Sequence, residues 1–202
     1  MQSVAKNILE VIRDHGRGWV FTPASFKAIG NRSAVESALR RHKKAGTIRQ
    51  LARGLYDYPR TDPQLGVLAP TVDLIAGALE ERDVVRLQPS GAYAANLLGL
   101  STQVPMKVVF LTDGFTRKLK VGKRQILLKR TTPRNMATAG RASGTVIQAL
   151  RWLGPQNVDN RVMSILMKRL SAKDKAQLLN DIPYAPIWIA KAIRTIVEKG
   201  ES

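Results

Sequence analysis

Basic and hydroxyl side chains recur at helical spacing between residues 31 and 46. At the angular spacing of an α-helix, one side of this segment is apolar and holds Val35, Ala38, Leu39, His42 and Ala45. The other side is polar and holds Ser33, Glu36, Ser37, Arg40, Arg41 and Lys44. Cationic side chains neutralise phosphates, and an arginine can also bind the edge of a guanine with two hydrogen bonds. We therefore predict that Ser37, Arg40, Arg41 and Lys44 face the major groove of DNA, with Arg40 reading a guanine, and that Ser33 also belongs to the DNA-binding residues.

The ends of this segment predict a helix followed by a hairpin. Ser33 and Glu36 have the spacing of a capping box, and Gly46 lies where a left-handed C-cap is expected. Two short strand-like segments, 47–51 and 55–58, follow and turn at Arg53-Gly54. We expect Arg49 and Arg53 to point outward and, with Arg32, to contact phosphates or the minor groove. Lys43, between the two helix faces, is a further phosphate candidate.

The preceding residues supply the elements that would position this helix. Residues 3–15 predict a first helix capped by Ser3, and residues 19–21 predict a small strand or a core plug. Thr22-Pro23 opens a second helix whose core contacts are Phe26 and Ile29. Helix, short strand, helix, turn, helix and hairpin is the order of a winged helix-turn-helix, which inserts its recognition helix in the major groove. The alternative is a winged helix used only for protein contacts.

The remainder of the chain predicts a second domain with mixed secondary structure. Residues 59–66, with two prolines and a glycine, are typical of a linker, so we place the domains at 1–60 and 61–202. A helix is expected at 71–82 with Leu74, Ile75, Ala78 and Leu79 inward, and strands are expected at 84–87 and 107–111. Four helical segments follow near 135–153, 159–170, 172–182 and 187–199. The fold class is α+β: an N-terminal winged helix-turn-helix, then a C-terminal domain with a small sheet and a helical C-terminal part.

A second basic stretch is predicted to form a two-stranded ribbon over 117–121 and 124–129. Gly122-Lys123 between the strands suits a type II′ turn, and Lys118 and Lys120 alternate with Leu119 and Val121. This ribbon is either a charged edge that resists aggregation, a second nucleic-acid contact, or a docking face for an acidic protein. The basic residues of this second surface are Arg117, Lys118, Lys120, Lys123, Arg124, Lys129, Arg130 and Arg134.

The overall charge favours a polyanionic partner. The chain has 33 basic and 15 acidic residues, a net charge of +18, and the excess is found on both sides of residue 60. Double-stranded DNA is the first expectation and an acidic protein the second. With no cysteine, disulfides and thiolate metal sites are excluded. No apolar run reaches the length of a spanning helix, and the amphipathic, acid-containing N-terminus differs from a signal peptide, so we expect a cytoplasmic protein.

Enzymatic chemistry has little support in the sequence. There are only two histidines, and His42 lies on the apolar side of the predicted recognition helix, where a satisfied boundary residue is expected. Metal-ligand spacing and the phosphate-binding loop are absent. The segment 140–144 carries Ser143 one place too late for a nucleophile elbow. We predict no enzyme activity, no cofactor and no metal.

Several strings of the sequence resemble the AbiEi family, the antitoxins of type IV toxin–antitoxin (abortive infection) systems. They are residues 21–23 (FTP), 34–39 (AVESAL), 46–49 (GTIR), 51–59 (LARGLYDYP), 87–100 (LQPSGAYAANLLGL) and 132–136 (TPRNM). The resemblance implies an N-terminal winged helix that represses its own operon by binding inverted repeats. It also implies a C-terminal domain that opposes a nucleotidyltransferase-type toxin. It supplies no motif for toxin recognition, so no toxin-facing residue is assigned.

Overall fold

The computed structural model describes residues 3–198, and the chain divides into two compact units between Val85 and Arg86. The predicted α+β class is confirmed. The N-terminal unit contains, in order, α1 (Val4–His15), β1 (Val20–Phe21), a 3₁₀ helix (Pro23–Phe26), α2 (Arg32–Lys44), β2 (Arg49–Ala52), β3 (Leu55–Asp57), β4 (Thr61–Asp62), β5 (Gly66–Val67) and α3 (Val72–Asp83).

The core of the N-terminal unit lies between α1, α2 and a three-stranded sheet with strand order β1-β3-β2. Ile8 and Ile12, one helical turn apart on α1, are fully buried with Phe21 and Phe26. Ser3 caps α1 as predicted, because its hydroxyl accepts a hydrogen bond from the Lys6 backbone N–H. The helix α2 therefore rests on a continuous apolar support.

Two N-terminal expectations differ from the structure. The segment opened by Thr22-Pro23 forms only a four-residue 3₁₀ helix, since the Asn31 cap of α2 follows so soon. The predicted linker 59–66 contains β4 and the first residue of β5, which pair as a ribbon, and α3 packs against β1 and the 3₁₀ helix. The compact unit thus extends past residue 60, where the sequence placed the boundary.

The C-terminal unit combines one sheet with a helical part. Its elements are β6 (Leu87–Ser90), α4 (Gly91–Leu97), β7 (Lys107–Thr112), β8 (Arg117–Val121), β9 (Arg124–Arg130), α5 (Pro133–Met136), α6 (Ala142–Leu153), a 3₁₀ helix (Pro155–Asn157), α7 (Asn160–Arg169), α8 (Ala172–Asn180), a 3₁₀ turn (Ile182–Tyr184) and α9 (Ile187–Glu198). The helices α6 to α9 share a core with α4 that includes Ile147, Leu166, Leu178 and Ile193.

The sheet of the C-terminal unit is mixed, with strand order β6-β7-β9-β8. The predicted β8–β9 ribbon is confirmed, and its turn has the positive φ of +58° at Gly122 that a type II′ turn needs. The ribbon does not stand alone, because β9 pairs in parallel with β7. The strand predicted at 84–87 begins only at Leu87, since Val84 is left-handed and 91% exposed.

Two further details of the helices correct the expectations. Leu74 is 45% exposed on α3 and does not face inward. The segment predicted near 135–153 is interrupted and forms α5 and α6. The predicted capping of α8 by Ser171 with Asp174 is confirmed. Residue 199, the predicted end of the last helix, lies outside the described residues.

Candidate nucleic-acid interface

The polar face of α2 is exposed to solvent along its whole length. Its predicted members Ser33, Ser37, Arg40, Arg41 and Lys44 are all exposed. On the opposite side Val35, Ala38 and Leu39 are buried in the N-terminal core, whereas Ala45, predicted to be inward, is exposed. The side chains of Arg40, Arg41 and Lys44 form no hydrogen bond or ion pair with another residue of the range 3–198. These three cations are therefore available to a partner.

The cap of α2 lies two residues earlier than predicted. Asn31 is the N-cap, and its side-chain oxygen accepts a hydrogen bond of 2.9 Å from the Ala34 backbone N–H. The predicted capping box of Ser33 and Glu36 is wrong, because Asn31 takes the cap position and Ser33 lies inside the helix. Glu36 instead accepts a hydrogen bond from Arg32, at 2.8 Å. That contact raises the pKa of Arg32, whose side chain stays 89% exposed.

The predicted C-terminal stop of α2 is confirmed. Gly46 has a φ of +71°, and its N–H donates to the Lys43 carbonyl while the Thr47 N–H donates to the His42 carbonyl. This pair of hydrogen bonds is a Schellman motif, which turns the chain sharply into the hairpin. His42 is a satisfied boundary residue as predicted, with its Nε2 2.9 Å from the Ala5 carbonyl oxygen.

The β2–β3 hairpin lies beside the C-terminal end of α2. Lys43 Nζ donates to Gln50 Oε1 at 2.6 Å and so links the helix to the first strand. At the tip, Arg53 is exposed and Gly54 has a φ of +68°. A shallow groove runs between helix and hairpin, lined by Lys43, Gly46, Ile48, Arg49, Gln50, Ala52 and Arg53.

Arg49 does not point outward as predicted. Its guanidinium donates to both oxygens of Asp57, directly across the hairpin, and to the Leu68 carbonyl at 2.9 Å. The Asp57 side chain is only 2% exposed, so this pair satisfies a buried carboxylate. The sequence interpretation missed the pairing because it depends on the strand register. Arg49 therefore supports the base of the hairpin, and Arg53 alone presents a charge at its tip.

Tyr56 of β3 is influenced electrostatically by two residues of α2. Its ring is half-buried on β3 and stacks on Phe21, with centroids 6.1 Å apart. Burial raises the pKa of the Tyr56 phenol, the charge of Glu36 raises it further, and Arg40 opposes this. These influences place the phenol near two residues of α2, a position that the sequence alone did not reveal.

The second basic stretch is divided between the two faces of the C-terminal sheet. Lys118 and Lys120 are exposed on β8 as predicted, and the register puts them on the same face as Leu127 and Gln125 of β9. Lys129 shares that face by alternation along β9, and Lys107 shares it through pairing with Gln125. We call Lys107, Lys118, Lys120 and Lys129, arranged around the half-buried Leu127, the lysine face.

The other predicted members of the second surface lie elsewhere. Arg117, Arg124 and Arg130 alternate onto the opposite sheet face, which carries the buried Ile126 and Leu128. Lys123 is exposed in the turn. Arg134 lies on α5 and donates to the Pro183 carbonyl at 2.9 Å. Sequence reasoning missed Lys107 because the parallel β7–β9 pairing leaves no local signal.

A family of unknown function, DUF6088, matches the chain over residues 7–178. The chain belongs to DUF6088. The match spans α2, the β2–β3 hairpin and the lysine face. Comparison with curated proteins gives no match. The resemblance of this DUF6088 chain to the AbiEi antitoxins therefore stays a prediction.

The residues weighed for catalysis in this DUF6088 chain have structural partners. Ser143 is buried, and its hydroxyl donates to Asp181, which also accepts from Arg141 at 2.6 Å and Gln177 at 3.2 Å. Both histidines belong to the other unit. Within residues 3–198, no group of three His, Cys, Asp or Glu side chains could hold a metal ion. None of the helices in that range is long and apolar enough to span a membrane.

Proposed function

We propose that the N-terminal unit binds double-stranded DNA as a winged helix-turn-helix, with α2 as recognition helix and the β2–β3 hairpin as wing. The exposed side chains of Arg40, Arg41 and Lys44, on a helix that Lys43 links to the hairpin, are the observation that carries this proposal. The order of the elements and the β1-β3-β2 sheet also support it. The short 3₁₀ helix Pro23–Phe26 stands where the second helix of the motif is expected.

The proposed contacts divide into two kinds. Ser37, Arg40, Arg41 and Lys44 read or line the major groove, while Arg32 and Arg53 hold phosphates at either end. An arginine bound to a guanine contributes about 1–3 kcal/mol of discrimination, whereas a phosphate contact contributes to every sequence and changes the salt dependence. The two kinds can therefore be separated by experiment.

Gel-shift titrations on the chain's own promoter fragment at several salt concentrations test the proposal. Arg40→Ala should cost about 1–3 kcal/mol at the promoter and little on unrelated DNA. Arg53→Ala should weaken binding to both and flatten the salt slope by about one. Lys191→Ala, which removes an exposed charge from α9, is the matched control. Unchanged promoter affinity in both arginine variants would refute DNA recognition by α2.

We further propose that the protein is an autorepressing antitoxin to a nucleotidyltransferase-type toxin. This part depends on the sequence resemblance to the AbiEi family. Co-expression with the product of an adjoining nucleotidyltransferase gene tests it. The protein should restore growth to cells that the enzyme alone arrests, and arrest that persists at equal expression would refute the role.

A second candidate function is the binding of an acidic protein by the lysine face, with DNA binding secondary. The lysine face spans about 10 Å across three strands and about 13 Å along them, close to the footprint of one α-helix. Its centre is apolar, with Leu127 and Val109 half-buried. A duplex backbone presents mainly charged phosphates to such a surface, whereas an acidic amphipathic helix presents both carboxylates and apolar side chains.

Fluorescence anisotropy with a synthetic helical peptide of glutamate and leucine tests the second candidate. The pair Lys118→Glu with Lys120→Glu should abolish peptide binding, and Leu127→Asn should weaken it without any change of charge. Lys168→Glu with Lys173→Glu, on exposed positions of α7 and α8, is the control with the same charge change. Equal losses in the two charge-reversed pairs would show unspecific attraction and exclude a built surface.

A further inference from the structure

Two arginines of the C-terminal unit are anchored to neighbouring carbonyl groups of one turn. Arg134 of α5 donates from Nη2 to the Pro183 carbonyl at 2.9 Å, and Arg151 of α6 is directed from Nη2 to the Tyr184 carbonyl at 3.5 Å. Because both acceptors belong to the Ile182–Tyr184 turn, the two guanidinium groups are held at the same place. The turn thus holds the positive charges of Arg134 and Arg151 close together.

The described residues supply no negative charge to this pair. The remaining partner of Arg151 is the neutral Asn135, whose Oδ1 accepts from Nη1 at 2.8 Å and whose Nδ2 donates to the Thr131 hydroxyl. Within residues 3–198 neither Arg134 nor Arg151 forms an ion pair, and Asp181, which precedes the turn, is occupied by Arg141 and Ser143.

Arg151 is also incompletely satisfied. Its Nε–H is buried and has no hydrogen-bond partner within the described part of the chain. Burial lowers the pKa of the Arg151 guanidinium, and the charge of Arg134 lowers it further. Like charges held together and a buried donor without an acceptor both cost free energy, and an anion bound between the two guanidinium groups would offset the repulsion between them.

We propose that Arg134 and Arg151 form a binding site for a phosphate monoester dianion. Two guanidinium groups match the charge of a dianion, and the forked donors of arginine match the geometry of phosphate oxygens. A carboxylate or a backbone phosphodiester, each with a single negative charge, would leave one guanidinium uncompensated. The site lies wholly in the C-terminal unit and does not depend on DNA binding by α2.

Isothermal titration calorimetry at pH 8 with phenyl phosphate as the probe tests this site. The wild-type chain should bind phenyl phosphate at least about tenfold more tightly than the diester diphenyl phosphate, because only the monoester is a dianion. Arg134→Gln should weaken monoester binding about tenfold or more, the effect of one charge-assisted contact. Arg151→Lys, which keeps the charge and loses the fork, should weaken it also, and Lys191→Gln should leave it unchanged.

A second arm identifies the source of the phosphate. Oligonucleotides that bind only when they carry a 5′-phosphate would indicate a nucleic-acid end, whereas binding of free monoesters alone would indicate a small metabolite. Equal affinity of monoester and diester, or equal affinity of the Arg134→Gln and Lys191→Gln variants, would overturn the proposal. Circular dichroism melting checks that both arginine variants are folded, and Arg134 is exposed enough for its replacement to be tolerated.

Discussion

The polar face of α2 and the lysine face of the C-terminal sheet carry similar charge on surfaces of different shape. On α2, Arg40, Arg41 and Lys44 follow a convex helical ridge whose underside is buried. On the sheet, four lysines surround the apolar Leu127 on a flat surface. A ridge fits the major groove, and a flat charged surface with an apolar centre fits another protein. We therefore propose that the charge excess serves two kinds of contact.

Each of the two surfaces is built from residues of its own unit. The ridge depends on the Schellman turn at Gly46 and on the Arg49–Asp57 pair at the base of the hairpin. The lysine face depends on the sheet register and on the packing of α6 against β6. A substitution in one of these supporting contacts should impair binding by one surface and leave binding by the other unchanged. Such variants test whether the two surfaces are independent.

The largest effect is expected from Arg49→Met. It leaves the buried Asp57 carboxylate without its partner, and we expect a loss of about 3 kcal/mol in the free energy of unfolding, low in the range for buried pairs because Arg49 is partly exposed. Urea denaturation measures this, and Arg53→Met at the exposed tip is the control, with a change within about 0.5 kcal/mol. Similar losses in the two variants would contradict a supporting role for Arg49.

Gly144→Ala should damage the lysine face instead. A Cβ at Gly144 would overlap the Gln88 side chain and the Thr138 carbonyl, so α6 must move away from β6. We expect a loss of about 2 kcal/mol, a typical cost of overpacking. Gly77→Ala on α3 is the matched control: its Cβ meets nothing within 4 Å, and it should stabilise by about 0.4–1 kcal/mol. If thermal melting shows both variants stabilised, the packing argument for Gly144 is wrong.

Gly46→Ala should have a smaller effect on the ridge. Its Cβ has open space, so the cost arises only from the φ of +71° and should be about 1 kcal/mol. Gly46→Asn should recover part of this loss, because asparagine tolerates the left-handed region better. Promoter affinity should fall in the alanine variant, while binding of the acidic peptide by the lysine face should be unchanged. A loss of peptide binding would show that the surfaces are coupled.

The smallest effect is a pH dependence at the edge of the lysine-face sheet. The backbone N–H of Arg86 and, after it, the Arg86 guanidinium at 3.0 Å lower the pKa of Asp113. A lowered pKa in the folded state means that this stabilisation is present above about pH 4 and is lost as the pH falls through the folded pKa. Melting temperatures of Asp113→Asn and wild type should therefore differ at pH 7 and converge only when the pH falls below the lowered folded pKa of Asp113. If the difference in melting temperature does not change with pH, ionisation of the Asp113 carboxylate is not the source of the stabilisation.

The sequence predicted those features that depend on neighbouring residues. The division of α2 into buried and exposed sides, the Gly46 stop and the bounds of β8 follow from periodicity and turn chemistry, which are local. The N-cap of α2 was predicted at the wrong residue. Asn31 and Ser33 are equally good caps by residue type, and only the packing of α2 on the core selects between them.

Features that depend on long-range pairing could not be predicted. The Arg49–Asp57 contact requires the hairpin register, and Lys107 joins the lysine face only through the parallel β7–β9 pairing. Arg134 and Arg151 meet because α5 and α6 both reach the turn at Ile182–Tyr184. These long-range contacts cannot be read from sequence periodicity, because neither partner differs from other residues of its type in its own segment.

The central position of β9, between β7 and β8, has a consequence for how the C-terminal unit is assembled. A peptide of the hairpin alone would lack Lys107 and would expose the edge of β9 that β7 normally occupies, a template for self-association. The β8–β9 hairpin can form early in folding, since its contacts are local. The free edge of β9 is covered only when β7 pairs with it. Fragments that contain the β8–β9 hairpin without β7 should therefore aggregate. Transfer of the hairpin to another scaffold should fail unless β7 is transferred with it.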